Sequence, residues 1–433
     1  MIKACVLTLG CRVNQYESDF IIQELSKNSV AICPPQEKCD IYIINTCSVT
    51  SESDRKSRQF IRKCIKQNPD AVIIVTGCFS QINQEAASKI EGVSLVVGNN
   101  EKSKIAKIAL DILNGKTVSP CGFDIYNGKF DTMSVGAPLT RTRAFVKIED
   151  GCDSKCAYCI IPKARGSVRS NLPENVIREV KRIASEGCLE VVLTGIETAS
   201  YGKDLDGEIN LGKLLCEVSE IEGISRIRLG SLDPFNVTKE FCDTASALKK
   251  VMNHFHISMQ SGCTKTLNEM RRKYNIEQAK KNIDYLKSKF DGVMLSADII
   301  VGFPGESDED FEQTYKFLKN ERFLHLHIFP YSKREGTVAA KMSGQVPEEI
   351  KKARLHKLEE MQKKVKAELL DEFIKANEFT EVLFETFDGE YALGHTTNFM
   401  ELKAKSSCNL SGEIKKVKLT SSDGEYLFGE IID

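Results

Sequence analysis

At 433 residues the chain has room for two or three domains with sizeable cores, and its 41% hydrophobic, 28% charged composition is that of a soluble globular protein. No run approaches the ~20 apolar residues of a membrane span, and the start MIKACVLTLG enters a strand pattern without a basic-then-apolar signal region, so a cytoplasmic, non-membrane protein is expected. The net charge of -1 is uninformative, but residues 371–433 hold 13 acidic against 6 basic residues and the remainder is net +6, so an anionic substrate should lean on the earlier part.

Residues 1–114 alternate short apolar runs (ACVLTLG, DIYIINTC, AVIIVTGC, SLVVGN) with longer periodic ones, a βαβα pattern that predicts a small parallel sheet wrapped by helices. Residues 115–138, rich in Gly, Thr and Pro, read as a linker. Residues 139–346 repeat strand–helix alternation about six times, with strands AFVKIED, EVVLTGI, RIRLGSL, HFHISMQ, VMLSADIIVGF and LHLHIFPY. A partial (β/α) barrel follows, with chemistry expected at the carboxyl ends of its strands. Residues 347–370 predict a charged connecting helix whose charge runs form a solvated face. Residues 371–433 read as about five strands with Asp-Gly turns, a small antiparallel β-barrel. The fold class is α/β, closed by this all-β module.

Sixteen cysteines spread over a large chain suggest reduced thiols and metal ligation rather than disulfides. Cys152, Cys156 and Cys159, in DGCDSKCAYC, form a C-x-x-x-C-x-x-C array directly after the first barrel strand. Cuboidal 4Fe-4S clusters normally take four thiolates, so three leave one iron open to an exchangeable ligand. The spacing suggests S-adenosylmethionine, whose amino and carboxylate groups can chelate that iron and whose reductive cleavage gives an adenosyl radical. The competing reading is zinc, which closes its tetrahedron with four ligands. No His precedes His254 and the next Cys after Cys159 is Cys188, so no local fourth ligand is evident.

A second set shares another property: Cys11, Cys47 and Cys78 each end a parallel strand of the first domain. Ligands of open α/β sheets bind beyond those ends, so the three are a second metal-site candidate. The other ten cysteines are read as small core hydrophobes. His254 with His256, and His325 with His327, alternate along strands and read as barrel packing.

The words LTLGCRVNQYES, NTCSVTSESDRKSRQ, TGCFSQ, RAFVKIEDGCDSKCAYCIIPKARGSVRS, HFHISMQSGCTKTLNEMRRKY and ADIIVGFPGESDEDF resemble those of the radical S-adenosylmethionine methylthiotransferases, in the family's order along essentially the whole chain. GCRVNQYES, NTCSVT and CIIPKARGSVRS are most similar to the threonylcarbamoyladenosine tRNA branch. The resemblance implies two 4Fe-4S clusters, on Cys152, Cys156 and Cys159 and on Cys11, Cys47 and Cys78. It also implies a radical S-adenosylmethionine core and a C-terminal RNA-binding TRAM barrel. Tyr158 would lie near the cofactor's adenine. Gly195, Glu197, Ser231 and Gln260, at strand ends, are candidates for its amino, carboxylate and ribose groups. Gly302 and Gly305 would let backbone approach the adenosine. Glu197 stands where the branch often has His, and Gly230 where Ser is frequent.

The activity so implied is 2-methylthiolation of N6-threonylcarbamoyladenosine at position 37, next to the anticodon of tRNA. The expected partners are an anticodon loop and an electron donor such as flavodoxin, with the protein a monomer. Arg141, Arg143, Lys147, Lys163, Arg165 and Arg169, and the run Arg271, Arg272 and Lys273, are candidates for phosphate contacts, against the alternative of solvated surface charge. The acidic C-terminal barrel fits RNA only if its lysines share a face. Three alternatives stay open: the isopentenyladenosine branch, methylthiolation of a ribosomal-protein aspartate, and a non-catalytic iron–sulfur electron carrier.

Overall fold

The computed structural model describes residues 1–126, 128–138 and 141–432; Leu139 and Asp433, the expected ends of two modules, lie outside the described residues. In the first module the strands Lys3–Thr8, Ala31–Ile32, Ile41–Thr46, Val72–Gly77 and Leu95–Val96 form a parallel sheet, ordered 31–32, 3–8, 41–46, 72–77, 95–96. IYIINT and VIIVTG are buried at every position, the pattern of strands covered on both faces. One face packs Ile43 and Ile74 with Ile21 and Leu25 of the helix Arg12–Lys27; the other packs Ile44 and Ile73 with Ile61 and Cys64 of the helix Ser51–Gln67.

The core module has six parallel strands in sequential order, Arg143–Lys147, Glu190–Thr194, Arg226–Leu229, His254–Gln260, Met294–Val301 and His325–Pro330. They form two three-stranded halves joined by a bridge at Leu232 and Ile257. Period-2 alternation sends Ala144, Val146, Val191, Leu193, Ile227 and Leu229 into the apolar layer under the helices. The opposite parity, facing the lumen, is largely polar (Arg143, Glu190, Arg228, His256, Asp298 and His327), with Phe145 and Val192 among it. Barrel interiors usually fill with branched apolar side chains, so this lumen departs from the usual packing.

The C-terminal strands Phe379–Phe387, Tyr391–Thr396, Glu401–Lys405, Ile414–Ser422 and Leu427–Ile431 close into a barrel. The Asp388 and Asp423 carboxylates each accept two backbone N–H groups, at 2.7–2.9 Å, across its Asp-Gly turns. Its 395–399 turn plugs the amino end of the core barrel. Phe399, at φ +70°, stacks between His254 at 4.6 Å and His395 at 4.4 Å. Arg228 donates to the Thr396 and Thr397 carbonyls at 2.8 and 2.9 Å, and Arg143 pairs with Glu385 at 3.1 Å. Some of the barrel's acidity is therefore spent on the core's arginines rather than turned to solvent.

Two expectations need correction. The connecting helix runs Glu348–Ala376, past residue 370, because Phe373 and Ile374 continue its apolar contacts; most of its charged residues are exposed as expected, with Lys351 and Arg354 the buried exceptions, on the Tyr331 carbonyl and Glu306. Residues 115–138 are not a free linker but a strap, with Ile125, Met133 and Val135 buried. No helix among the described residues is long and apolar enough to cross a membrane.

Where the strap crosses the interface, the Tyr16 hydroxyl lies 2.8 Å from the Met133 carbonyl and 3.0 Å from Glu179, which also accepts from the Val135 N–H at 2.8 Å. One hydroxyl proton cannot serve both acceptors. A protonated Glu179 resolves this by donating to Tyr16, and burial pushes its carboxyl from 4.5 up to about 8. The folded state thus holds a proton that the unfolded chain releases, so stability falls as pH rises from about 4.5 to about 8. Glu179→Gln is expected to remove that slope and raise the melting temperature at pH 8; thermal melts of both proteins across this pH range check it.

Candidate functional site

The strands 3–8, 41–46 and 72–77 are neighbours in parallel register, Thr8 beside Asn45 and Thr46 beside Gly77, so the residues after them emerge at one edge. Cys11, Cys47 and Cys78 meet there, within electrostatic range of one another. Two glycines permit the approach. A Cβ on Gly10, at φ +102°, would lie 2.9 Å from Cys47 Cβ and Sγ, and one on Gly77, at φ +98°, would overlap the Thr46 carbonyl. Cys11 is also the N-cap of the helix 12–27, whose dipole favours a thiolate. Solvent reaches Cys11, yet the protein around it pushes its thiol up, and burial pushes Cys47 up to about 11. A metal binding here must displace protons.

The Cys152–Cys159 loop is pinched at its base by the antiparallel pair Glu149–Asp150 and Arg169–Ser170. Backbone N–H groups of Ser154 and Ile161 donate to Cys152 and Cys159 sulfurs, both at 3.4 Å, and Arg272 Nη1 donates to Cys156 Sγ at 3.2 Å. Such N–H···S contacts tune cluster potentials. Burial raises Cys152 to about 11 and Cys159 to about 12. Among the described residues, no three Cys, His, Asp or Glu side chains gather closely enough for one metal ion. Zinc needs its ligands around a single atom, whereas a cubane seats each thiolate on a separate iron; the donor set fits the cluster better.

Between the triads lies a network that sequence reading missed. Arg165, fully buried, donates to Glu17 at 2.7 Å, Asp150 at 3.0 Å and Asn14 at 2.5 Å. Lys147 pairs with Glu17 at 3.0 Å and Asp150 at 2.6 Å, and Lys102 also pairs with Glu17. Three buried cations thus face two carboxylates, and Arg165 and Lys102 are electrostatically tied to Cys78. Negative thiolates on a cluster would balance that excess. Deleting Glu17 would strand the cations, at a cost of about 3–5 kcal/mol.

The strand-end candidates separate. Tyr158 packs on Met270, Phe303 and Tyr331 beside the triplet, its hydroxyl 3.5 Å from Arg272. Gln260 is buried with φ +65° at a bulge, strained backbone of the kind kept at binding sites. Ser231 is half-buried at its strand end. Glu197 accepts from the Asp233 N–H at 3.2 Å and the Asn236 amide at 3.4 Å; burial and then Asp233 raise it to about 7. Gly195 makes room for Glu149, whose Oε2 would be 2.5 Å from a Cβ there. Glu149 itself was not anticipated: it is buried, held well above the usual carboxylate range by burial, and its Oε1 has no hydrogen-bond partner. An orphaned carboxyl oxygen in an acidic cluster beside Cys152 suits a cationic ligand group. At Gly302 the space a Cβ would take is filled by Lys351 of the connecting helix, and Gly305 faces Glu269.

Of the nine expected phosphate contacts, seven are engaged within the protein, while Arg271 and Lys273 are exposed. Arg141 pairs with Asp19, Lys163 binds the Gly336 carbonyl at 2.8 Å, Arg169 binds the Arg165 carbonyl at 2.9 Å and Arg272 pairs with Asp233 at 2.7 Å. With Lys147, Arg165 and Arg143 also paired, none of these seven is a free cation; short-range alternation of charge in sequence hid their partners, up to 242 residues away.

If Cys11, Cys47 and Cys78 hold a cluster of their own, Gly10→Ala is expected to lose it and leave about half the iron of the reconstituted wild type; iron and sulfide assays with circular dichroism for folding check this.

A model of the Radical SAM superfamily matches residues 146–318, and one of Uncharacterized protein family UPF0004 matches residues 3–98. The chain is 38% identical over 432 residues to the threonylcarbamoyladenosine tRNA methylthiotransferase MtaB of Bacillus subtilis, covering 98% of this chain and 95% of the relative. The MtaB of Aquifex aeolicus is 36% identical, covering 93% and 96%. A tRNA-2-methylthio-N(6)-dimethylallyladenosine synthase of Thermoanaerobacter sp. is 33% identical, covering 98% and 92%. Among solved structures, the radical S-adenosylmethionine methyltransferase TsrM of Kitasatospora setae, with tryptophan and a SAM analogue, superposes with TM-score 0.57 at 14% identity, covering 76% and 72%; it shares the fold. With such identity along nearly the whole of both chains, the chain belongs to the radical S-adenosylmethionine methylthiotransferase family.

Proposed function

We propose that this enzyme converts N6-threonylcarbamoyladenosine at position 37, next to the anticodon of tRNA, to its 2-methylthio derivative. The observation that carries the reading is the pair of strand-end thiol triads, from two modules, on either side of one buried charge network. Cys152, Cys156 and Cys159 would hold a 4Fe-4S cluster with an iron left for S-adenosylmethionine, and Cys11, Cys47 and Cys78 a second cluster. Adenine carbon 2 has neither an acidic proton nor a leaving group, so acid–base groups cannot activate it. When bound, these cofactors supply a hydrogen-abstracting radical, sulfur and, from a second S-adenosylmethionine, the methyl group, with electrons from a donor such as flavodoxin.

The protein's own residues bind and orient. Glu149 and Glu197, whose carboxyls burial shifts upward, offer acceptor oxygens beside the triplet to the cofactor's ammonium, Asp233 pairs with Arg272, and Arg272 steadies Cys156. Phe329 continues the lumen-facing parity of His325 and His327 to the strand's carboxyl end, where it is 43% exposed in a groove of about 690 Å³ shared with Thr50 and Ser51. A splayed base can stack on it. On the C-terminal barrel, Lys403, Lys405, Lys416 and Lys418 alternate with buried residues on strands flanking 427–431. Lys403 Nζ lies 3.6 Å over the Tyr426 ring. That basic and aromatic stripe supports RNA contact by an otherwise acidic module.

The decisive measurement is mass spectrometry of nucleosides from tRNA of a strain lacking the gene and of its complemented parent. The 2-methylthio derivative of threonylcarbamoyladenosine should appear only on complementation; unchanged nucleosides would sink the reading. Replacing Lys403, Lys416 and Lys418 together by Glu should weaken tRNA binding by on the order of tenfold or more at moderate salt and flatten its salt dependence, measured by filter binding.

A further inference from the structure

Among the described residues, the lumen holds several arginines, and all but one are paired. Arg143 pairs with Glu385 at 3.1 Å, Arg228 with Glu190 at 2.9 Å, and Arg226 donates to the His395 carbonyl at 3.0 Å. Arg12 differs. It is the first residue of the helix 12–27, next to Cys11, and its guanidinium lies among residues of the core strands. It makes no hydrogen bond or ion pair among the described residues, and its guanidinium stands 6.0 Å from the Phe145 ring centroid. Asp298, Glu190, Arg143 and Arg228 are its electrostatic neighbours, and its field reaches His327. Solvent reaches the side chain. A guanidinium without an ion pair, beside a thiol triad and among the charged residues of the core strands, is suited to an anionic ligand group.

We propose that Arg12 binds the carboxylate of the substrate's threonylcarbamoyl group and thereby selects that nucleoside over isopentenyladenosine. The proposal rests on the substrate reading above and names the residue that decides it. The guanidinium fork matches a carboxylate bidentately. The polar wall opposite supplies partners for the ureido and hydroxyl groups: His256 binds Ser296 at 2.8 Å and Asp298 at 3.1 Å, and its ring is 5.3 Å from that of His327. An isopentenyl tail would desolvate these groups and pair with none, a mismatch that rejects an analogue strongly. Relatives with both substrate names align along the whole chain, so the discrimination must come from local chemistry of this kind.

The test uses reconstituted, anaerobic enzyme and anticodon stem-loop RNAs carrying threonylcarbamoyladenosine, its threonine methyl ester, or isopentenyladenosine, with fluorescence anisotropy as readout. The wild type should bind the acid about tenfold more tightly than the ester. Arg12→Gln should erase that ratio and Arg12→Lys should keep part of it, with iron content and S-adenosylmethionine binding by equilibrium dialysis unchanged. Equal binding of acid and ester by the wild type overturns the proposal without any variant, as does a preference that survives in Arg12→Gln. Loss of S-adenosylmethionine binding in Arg12→Gln with the acid preference intact would assign the residue to the cofactor's carboxylate and also overturn it. Failure of the substrate reading is separate: mass spectra then show the acid RNA unmethylthiolated whatever the binding ratio, and the proposal falls with it.

Discussion

Five buried charges at the seam between the first module and the core organise the molecule. Glu17 comes from the first helix, Lys102 from the edge of the same module, Lys147 and Asp150 from the end of a barrel strand, and Arg165 from the short helix after the cysteine loop. Ions are removed from water only at several kcal/mol each, so such a group exists only if each member is held where the others need it. The consequence is a fixed relation between two thiol sets that chain connectivity alone leaves free. Arg165 is tied electrostatically to Cys11 and Cys78 while bonding Asp150, two residues before Cys152. The excess of cations over carboxylates is an unusual state for a dry interface. It would be relieved were the neighbouring sulfurs anionic, as they are when they hold a metal.

A second constraint is the polarity of the barrel lumen. Arg143, Arg226 and Arg228 face inward, and the C-terminal barrel meets them with Glu385 and with the carbonyls of its 395–397 turn. Phe399 completes the plug in a left-handed backbone conformation, strain that the stacked rings and the arginines on either side offset. One end of the barrel is thereby sealed by an acidic module docked on basic strands. The opposite end, with the cysteine loop, Phe329 and the Glu149 cluster, is left to ligands. The acidity that argues against RNA when the C-terminal segment is counted by itself has an intramolecular use.

Much was legible in the chain. Apolar runs such as IYIINT and VIIVTG announced a parallel sheet, alternation announced the barrel, and Asp-Gly turns announced the closing module. Cys11, Cys47 and Cys78 could be grouped because strand periodicity locates carboxyl ends, and parallel neighbours put those ends side by side. Cys152, Cys156 and Cys159 needed only local spacing. What escaped was every property set by partners distant in sequence. Arg165 and Lys147 looked like phosphate ligands because Glu17 is more than a hundred residues away. The packing of Lys351 against Gly302 could not be read locally, and the 115–138 segment looked like a linker until Glu179 and Tyr16 held it down.

By itself, then, the sequence determined the kinds of element, their order, and which thiols end which strands, because hydrophobic period and ligand spacing are local quantities carried by consecutive residues. Tertiary structure alone decided which charges are spent on each other and which remain available, since burial and pairing depend on surfaces brought together across the whole chain. That is why Glu149 emerges with one orphaned carboxyl oxygen beside Cys152, and Arg12, among the described residues, as a guanidinium without an ion pair beside Cys11.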